Sequence, residues 1–174
     1  RLQGVGTFVA EPKGQSALFE VRSIADEIIS RRHQHRCEVL LLEETEADLI
    51  QSAALNVAEG TRIFHSLMVH FENDIPVQIE DRCVNAAVVP AYLDQDYTVT
   101  TPHDYLSLIA PLTEGEHIVE AVQASAKECE LLHIHAQDPC LLIRRRTWST
   151  THIVSHARLL FPGSRYRLQG HFTS

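Results

Sequence analysis

The chain has 174 residues, and 44% of them are hydrophobic, which is enough to bury a core within one domain. No apolar run approaches the roughly 18 residues that cross a bilayer, so we expect no membrane span and no membrane partner. The formal net charge is −8 at pH 7, whereas a domain that binds DNA by itself usually carries a basic face. The composition therefore argues against direct DNA binding by this part of the protein.

The first segment, residues 1–10, has the sequence RLQGVGTFVA. Gly4 and Gly6, followed by a β-branched and aromatic run at 7–9, predict a tight turn and the second strand of a small hairpin. Because the chain opens on arginine rather than methionine, we expect this hairpin to end a preceding domain of a longer protein. Residues 11–22, which carry one proline and one glycine among polar residues, are predicted to be a linker.

Three short elements are predicted next. Ser23 is expected to cap a helix at 24–32, whose first turn holds two acidic residues, as the helix dipole favours. The apolar run at 37–43 predicts a central strand. Residues 48–55 predict a second short helix, which ends near Gly60.

The clearest hairpin follows, with strands at 62–71 and 75–84 around a polar turn at 72–74. In the second of these strands apolar and polar residues alternate, so side chains of opposite character point to opposite faces of the sheet. The polar face of this strand is predicted to consist of Gln78, Glu80 and Arg82.

The second half of the chain repeats this order. Thr101 is a good helix N-cap because proline follows it at the first helical position. A strand is predicted at 117–126 and a helix at 127–136, which Pro139 stops. The remaining strands are predicted at 141–149, 153–161 and 166–172, the first two forming a hairpin and the last an edge strand.

The order of these elements predicts the fold class. Strand neighbours joined by tight turns imply a largely antiparallel sheet, and the helices between them are expected to pack alongside it. The predicted class is therefore α+β. Each half of the domain consists of a strand, a helix and a hairpin, which hints at an internal duplication.

Several local patterns carry a resemblance to a known family. The G-x-G-T-F-V strand at 4–9 is similar to the strand that closes the wing of the winged helix-turn-helix domain in GntR-type bacterial repressors. Residues 74–80 (DIPVQIE), 100–106 (TTPHDYL) and 162–168 (PGSRYRL) resemble the UTRA ligand-sensing domain of the HutC branch of GntR regulators. This resemblance implies a chorismate-lyase-like fold, with the UTRA domain at 23–174.

Other segments are similar to one group within that branch, the regulators of histidine catabolism. They are IADEI (24–28), HRCEVLLLE (35–43), CLLIRRRTWS (140–149) and ARLLFPGSRYRL (157–168). This likeness implies the effector-binding and dimerisation domain of a cytoplasmic transcriptional repressor, with no cofactor and no enzymatic activity. The effector would be urocanate. Its binding to a homodimer would release operator DNA, which the protein contacts only through the missing N-terminal winged-helix domain.

Urocanate is flat, with an imidazole at one end and a carboxylate at the other, so its pocket needs a partner for each end and an apolar slot between them. Glu80 can accept a hydrogen bond from a ring N–H, and Arg82 can pair with the carboxylate. The alternative for this face is a solvated surface with a weak cross-strand ion pair. The resemblance favours the pocket, because the family keeps an effector-binding glutamate at the position of Glu80.

Two helix starts are further candidates for contacts with the ligand. Free amide groups and the helix dipole attract an anion at Thr101 and at the start formed by Ser23, Ile24 and Ala25. In related sugar-phosphate sensors the corresponding region holds the phosphate. The alternative is that both starts are ordinary helix caps.

The sequence departs at four positions from the pattern of amino-sugar-phosphate sensors. Met68 and His70 stand where those sensors carry an arginine pair. Ser155 replaces a glutamate, and Phe161 replaces a tyrosine. With fewer charges and more apolar surface, these positions favour a planar aromatic acid over a phosphosugar, and His70 either hydrogen-bonds the ligand or is structural.

Residues 144–146 are three arginines whose side chains alternate between the two faces of a strand. Either Arg145 or Arg146 is a spare clamp for the ligand carboxylate, or the cluster is solvated or pairs with acidic groups across a dimer. The four cysteines are widely spaced, which suits small buried side chains in a reducing cytoplasm. The H-x-H pairs at 33–35 and 133–135 have no acidic or cysteine partner at a ligand spacing, so no metal site is predicted.

Two other functions compete with this interpretation. One is an enzyme on the same fold that acts on a small aromatic acid, but the sequence shows no nucleophile–base pair, phosphate loop or metal triad. The other is a sensor of the same family for another small acid or a phosphosugar. Turnover of a bound ligand would identify the enzyme, and a panel of ligands would separate the sensors.

Overall fold

The computed structural model describes residues 13–17 and 22–170, and it confirms the α+β class. The strands are β1 (Gly14–Ala17), β2 (His35–Glu46), β3 (Arg62–Glu72), β4 (Ile75–Asn85), β5 (Glu114–Gln123), β6 (Pro139–Ser149), β7 (His152–Pro162) and β8 (Tyr166–Gln169). The helices are α1 (Ile24–Ser30), α2 (Leu49–Leu55), α3 (Pro102–Ile109) and α4 (Ala126–Leu132), and a 3-10 turn spans Tyr92–Asp94.

Six strands form an antiparallel sheet in the order β2-β3-β4-β7-β6-β5, and both predicted hairpins are present. Asn73 and Asp74 join β3 to β4 with φ angles of 48° and 65°, which a two-residue hairpin turn requires. β4 and β7 lie side by side at the centre of the sheet. β3 and then β2 follow outward from β4, and β6 and then β5 follow outward from β7, so the two halves match. This arrangement agrees with the predicted repeat of strand, helix and hairpin.

Helices cover both faces of this sheet. On one face Ile24 of α1 packs in a cluster with Leu159 of β7, and a neighbouring cluster joins α3 and the 3-10 turn to β3. On the opposite face Leu132 of α4 packs with Ile79 of β4, and Leu55 of α2 lies in a cluster with residues of β3 and β4. Because side chains alternate along β4, its even-numbered polar residues point away from Ile79, towards α1 and α3.

A two-stranded parallel sheet differs from the sequence prediction. β1 pairs with β8, with Gly14 opposite Tyr166 and Ala17 opposite Gln169. Residues 14–17 of the predicted linker therefore form a strand, and the predicted edge strand at 166–172 does not join the six-stranded sheet. The two strands come from opposite ends of the chain, and a local pattern of residues carries no information about such a partner.

Several predicted boundaries also shift, and β2 spans His35–Glu46 rather than the predicted 37–43. α4 ends at Leu132 because His133 takes a left-handed conformation, with φ of 50°, and this ends the helix before Pro139 is reached. β5 begins at Glu114 rather than at 117. The predicted wing strand at 1–10 lies outside the described residues.

Candidate functional site

A cleft opens on the sheet face that carries the polar side chains of β4. It encloses about 350 Å³, a volume that includes space open to solvent. The sheet contributes Gln78, Glu80, Arg82, Arg145, Leu159 and Phe161 to its walls. The elements that cover the sheet contribute Arg22, Ile24, Glu27, Thr101, His103 and Tyr166.

The polar face of β4 is buried, not solvated, since Glu80 and Arg82 are only 4% and 2% exposed. Arg82 Nε donates to Glu80 Oε1 at 2.7 Å, and Arg82 Nη1 donates to Ser155 Oγ at 2.8 Å. Burial favours the neutral form of Glu80, but the positive charges of Arg82 and His70 outweigh it and hold the pKa of this carboxyl well below its usual range. The floor of the cleft therefore carries a fixed, ionised carboxylate–guanidinium pair.

His70 lies behind this pair and does not line the cleft. It is completely buried, with Nε2 3.5 Å from Glu80 Oε2 and Nδ1 3.0 Å from Nε2 of His35. Burial lowers the pKa of His70, but its interactions with the neighbouring Cys37 and Glu80 side chains outweigh burial and raise the pKa to about 9. Burial and the charge of His70 lower the pKa of His35 to about 4. Charged His70 therefore donates to neutral His35 and faces Glu80 as a second cation.

The three arginines of β6 separate as the alternation predicted. Arg145 is buried and lines the cleft, where its Nε donates to His117 Nε2 at 2.8 Å. Burial and the neighbouring charge of Arg82 lower the pKa of Arg145 to about 10, which leaves it charged at pH 7. Arg144 and Arg146 instead pair with glutamates of β5 in the same chain, at 3.1 and 3.8 Å.

The two helix starts meet above the cleft. Thr101 caps α3 as predicted, because its Oγ1 accepts from Asp104 N at 3.1 Å. α1 begins after Ser23 as predicted, but the Ser23 side chain does not cap it. Ser23 Oγ lies 3.1 Å from Thr101 Oγ1 and donates to Asp104 Oδ2 at 3.2 Å, because the start of α3 offers it partners. The carboxylate of Asp104 thus already occupies the start of α3, which weakens the expectation that an anion binds there.

Of the ten predicted ligand contacts, five line the cleft and five do not. The lining residues are Ile24, Glu80, Arg82, Thr101 and Phe161. The others are Ser23 and Ala25, which flank Ile24, the fully buried Met68 and His70 of β3, and Ser155, which holds Arg82. Met68 packs in the core with Phe64 and Tyr92 and does not reach the cleft, unlike the predicted position beside a ligand.

Sequence reasoning did not select seven lining residues as ligand contacts. Gln78 shares the polar face of β4, Leu159 shares the face of β7 that holds Phe161, and Arg145 was one of several alternatives. The alternation of side chains along these strands could have placed all three residues on the same faces as the predicted contacts. His103 and Tyr166, like Arg22 and Glu27, reach the cleft through packing between distant segments. Burial and the charges of Arg82 and Arg145 lower the pKa of His103.

The remaining predictions concern the cysteines, a metal site and membrane-spanning helices. All four cysteines are buried free thiols. Within the described residues no group of three histidine, cysteine or acidic side chains is placed to hold a metal ion. In the first H-x-H pair the two rings have different partners, since His33 contacts Glu72 and His35 contacts His70. No helix in the described ranges is long and apolar enough to cross a membrane.

Comparison with known proteins identifies the family. The sequence matches the model of the UTRA domain over residues 30–167. The chain belongs to the UTRA domain family. This UTRA domain is 87% identical over 174 residues to the histidine utilization repressor of Klebsiella aerogenes, covering 100% of this chain and 72% of that protein.

Solved structures agree with this assignment. The crystal structure of the C-terminal domain of the histidine utilization repressor from Pseudomonas syringae pv. tomato str. DC3000 has a TM-score of 0.78 and 62% identity, covering 81% of this chain and 100% of that one. PhnF from Mycobacterium smegmatis has a TM-score of 0.84 over 94% of this chain and 73% of that one, and its 18% identity shows the fold alone. This UTRA domain is therefore the effector domain of a transcriptional repressor of the histidine utilization type, and the relatives that it matches are named as repressors, not as enzymes.

Proposed function

We propose that this domain binds urocanate in the cleft, and that binding releases operator DNA from a homodimeric repressor of histidine utilization. Its relatives are named repressors of histidine utilization, and urocanate is the first intermediate of histidine catabolism. No cofactor takes part in this proposal. The effector is therefore recognised by groups of the protein itself.

The observation that carries the proposal is the buried guanidinium of Arg145. It donates to a ring nitrogen of His117 rather than to a carboxylate, and Arg82 lies near enough to lower its pKa. A carboxylate ligand placed between Arg145 and Arg82 would supply a direct countercharge in a site that is shielded from water. The acid end of urocanate supplies such a charge.

The rest of the cleft suits the other two parts of urocanate. The negative charge of Glu80 and the amide of Gln78 favour an N–H group at the ring end. Ile24, Leu159 and Phe161 provide apolar walls for a flat ring and its double bond.

Two positions of β3 disfavour a phosphosugar as the ligand. Met68 and His70, which stand in place of an arginine pair, contribute no cation to the lining of the cleft. A phosphate carries up to two negative charges and is bound best by several cationic or N–H donors. The arginines of the lining are Arg22, Arg82 and Arg145, of which Arg82 is already paired with Glu80, and a planar monocarboxylate needs fewer such donors than a phosphate.

Tyr166 connects the cleft to β1, the strand nearest the N-terminal end among the described residues. It lines the cleft, and its ring stacks on Phe161 with 3.8 Å between the ring centres. Tyr166 also lies in β8, opposite Gly14 of β1. A ligand that moves the Phe161–Tyr166 stack would thus act on the strand that follows residues 1–12, which is how we propose that binding reaches the DNA-binding domain.

Calorimetric titration tests the proposal, with histidine and glucosamine 6-phosphate as controls. We expect urocanate alone to bind, with a Kd of about 1 μM, or about −8 kcal/mol. Binding of the phosphosugar alone would contradict the proposal. Recovery of unchanged urocanate after incubation would separate a sensor from an enzyme.

Two further parts of the proposal concern assembly and location. A symmetric operator requires two DNA-binding heads related by a two-fold axis, so we propose a homodimer. Light scattering coupled to gel filtration should give twice the mass of the monomer. The four buried thiols agree with a reducing compartment, the cytoplasm.

A further inference from the structure

Gln78 carries a buried polar atom that the structure leaves unused. The residue lines the cleft and is only 2% exposed. Its Oε1 is shielded from solvent and has no hydrogen-bond partner among the residues that the structure describes. Such a group is unfavourable in a folded protein unless a donor reaches it in some state of the molecule.

The neighbouring acceptor is already occupied. Glu80 Oε1 accepts from Arg82 Nε at 2.7 Å, and Glu80 Oε2 faces His70 Nε2 at 3.5 Å. One carboxylate oxygen thus accepts a hydrogen bond from Arg82, and the other lies beside the buried ring of His70 without a hydrogen bond to it. Gln78 stands two residues earlier on the same face of β4, and its carbonyl oxygen is still open to a donor.

We propose that Gln78 Oε1 accepts the ring N–H of the effector and determines specificity for an N–H heteroaromatic acid over a ring of the same shape without that group. Glu80 then acts mainly by holding Arg82 in place for the ligand carboxylate. This inference rests on the proposed function, because it deepens the recognition of urocanate by the same cleft. A site that hydrogen-bonds a polar group rejects an analogue without it, since the buried acceptor is then left unpaired.

The test compares two ligands and three variants by calorimetry on the whole chain. Urocanate carries the ring N–H, and 2-furanacrylate has a five-membered ring and the same acrylate without an N–H. Gln78→Met keeps the length of the side chain and removes the acceptor, whereas Gln78→Glu keeps an acceptor oxygen. Gln123→Met makes the same chemical change at an exposed position of β5 and is the matched control.

We expect Gln78→Met to weaken urocanate about tenfold and to change 2-furanacrylate less than about twofold, which would abolish most of the selectivity of the unmodified chain. Gln78→Glu should weaken both acids through its charge but retain their ratio. Gln123→Met should change neither affinity. A merely structural role of Gln78 would weaken both ligands equally in Gln78→Met.

Three results would overturn the inference. An equal loss for both ligands, or no loss for either, in Gln78→Met would remove Gln78 from ring recognition while leaving the proposed function intact. Loss of the ratio in Gln78→Glu would show that an acceptor at this position is insufficient, and this variant decides the matter if Gln78→Met does not fold. Failure of the unmodified chain to bind urocanate would instead refute the proposed function, and the inference with it.

Discussion

Replacing Glu80 with glutamine removes a buried negative charge that faces two cations, Arg82 and His70. The shape of the side chain is kept, so the change is mainly electrostatic. Removing one partner of a buried ion pair leaves the other charge uncompensated and typically costs about 3–5 kcal/mol. Against a total stability of about 5–15 kcal/mol for a domain, Glu80→Gln should produce a large shift in the urea unfolding midpoint.

The pH dependence of this loss identifies its cause. The pKa of Glu80 is lowered in the folded state, so its contribution to stability is present above the unfolded value of about 4.3 and disappears as the pH falls towards the folded value. The difference in unfolding free energy between the two proteins should therefore shrink below about pH 4. The pKa of His70, followed by NMR, should fall in the variant, because Glu80 helps to raise it.

Glu38→Gln is the matched control, because Glu38 is half exposed and pairs with Arg36 on the surface of β2. Exposed ion pairs contribute about 0–1 kcal/mol, so this variant should unfold almost as the unmodified chain does. Equal losses for both variants at pH 7 would refute the reasoning. So would a loss for Glu80→Gln that is the same at pH 3 and pH 7, since it could not arise from the charge.

Three further predictions concern single side chains. Because the pKa of His70 rises from 6.5 to about 9 on folding, protonated His70 should stabilise the fold fully below pH 6.5 and lose this effect as the pH rises towards 9. Urea titrations at several pH values should show this decline in stability. If His70→Gln showed the same decline, the assignment to His70 would be wrong. Arg145→Met should weaken urocanate about tenfold to a hundredfold in calorimetry, while Arg144→Met should not, and equal effects would rule out a clamp at Arg145. Thr101→Ala should lower stability by about 0.5–2 kcal/mol in urea through loss of the α3 cap, against almost nothing for the exposed Thr151→Ala.

Much of the fold was predictable because its signals are local. Hairpin turns and alternation along β4 gave the central strands and placed Glu80 and Arg82 on one face. The same alternation separated Arg145 from its neighbours, but it could not tell which face carried the cleft. Which face lines the cleft depends on which helices cover the sheet, and this cannot be predicted from the sequence of β6.

The rest of the site depends on contacts between distant segments. His103 and Tyr166 reach the cleft only because α3 and β8 fold over the sheet. Ser23 illustrates the same limit on a smaller scale: its sequence context predicts a cap for α1, yet its hydroxyl contacts Thr101 and Asp104. A cap residue bonds whichever partner packing brings within reach, and that partner lies far along the chain.

The departures at Met68 and His70 show how two positions can change the chemistry of a cleft without contacting its contents. Met68 packs into the core, so one site of positive charge in the related pattern becomes apolar. His70 keeps a positive charge, but it faces Glu80 from behind at 3.5 Å and does not reach the cleft. The charge of Arg82, together with that of His70, keeps Glu80 ionised, and ionised Glu80 accepts from Arg82 at 2.7 Å. The arginine pair of the related pattern is thus replaced at these two positions by one cation that fixes the floor of the site from behind, and the positive charge that faces a ligand comes from Arg22, Arg82 and Arg145 instead.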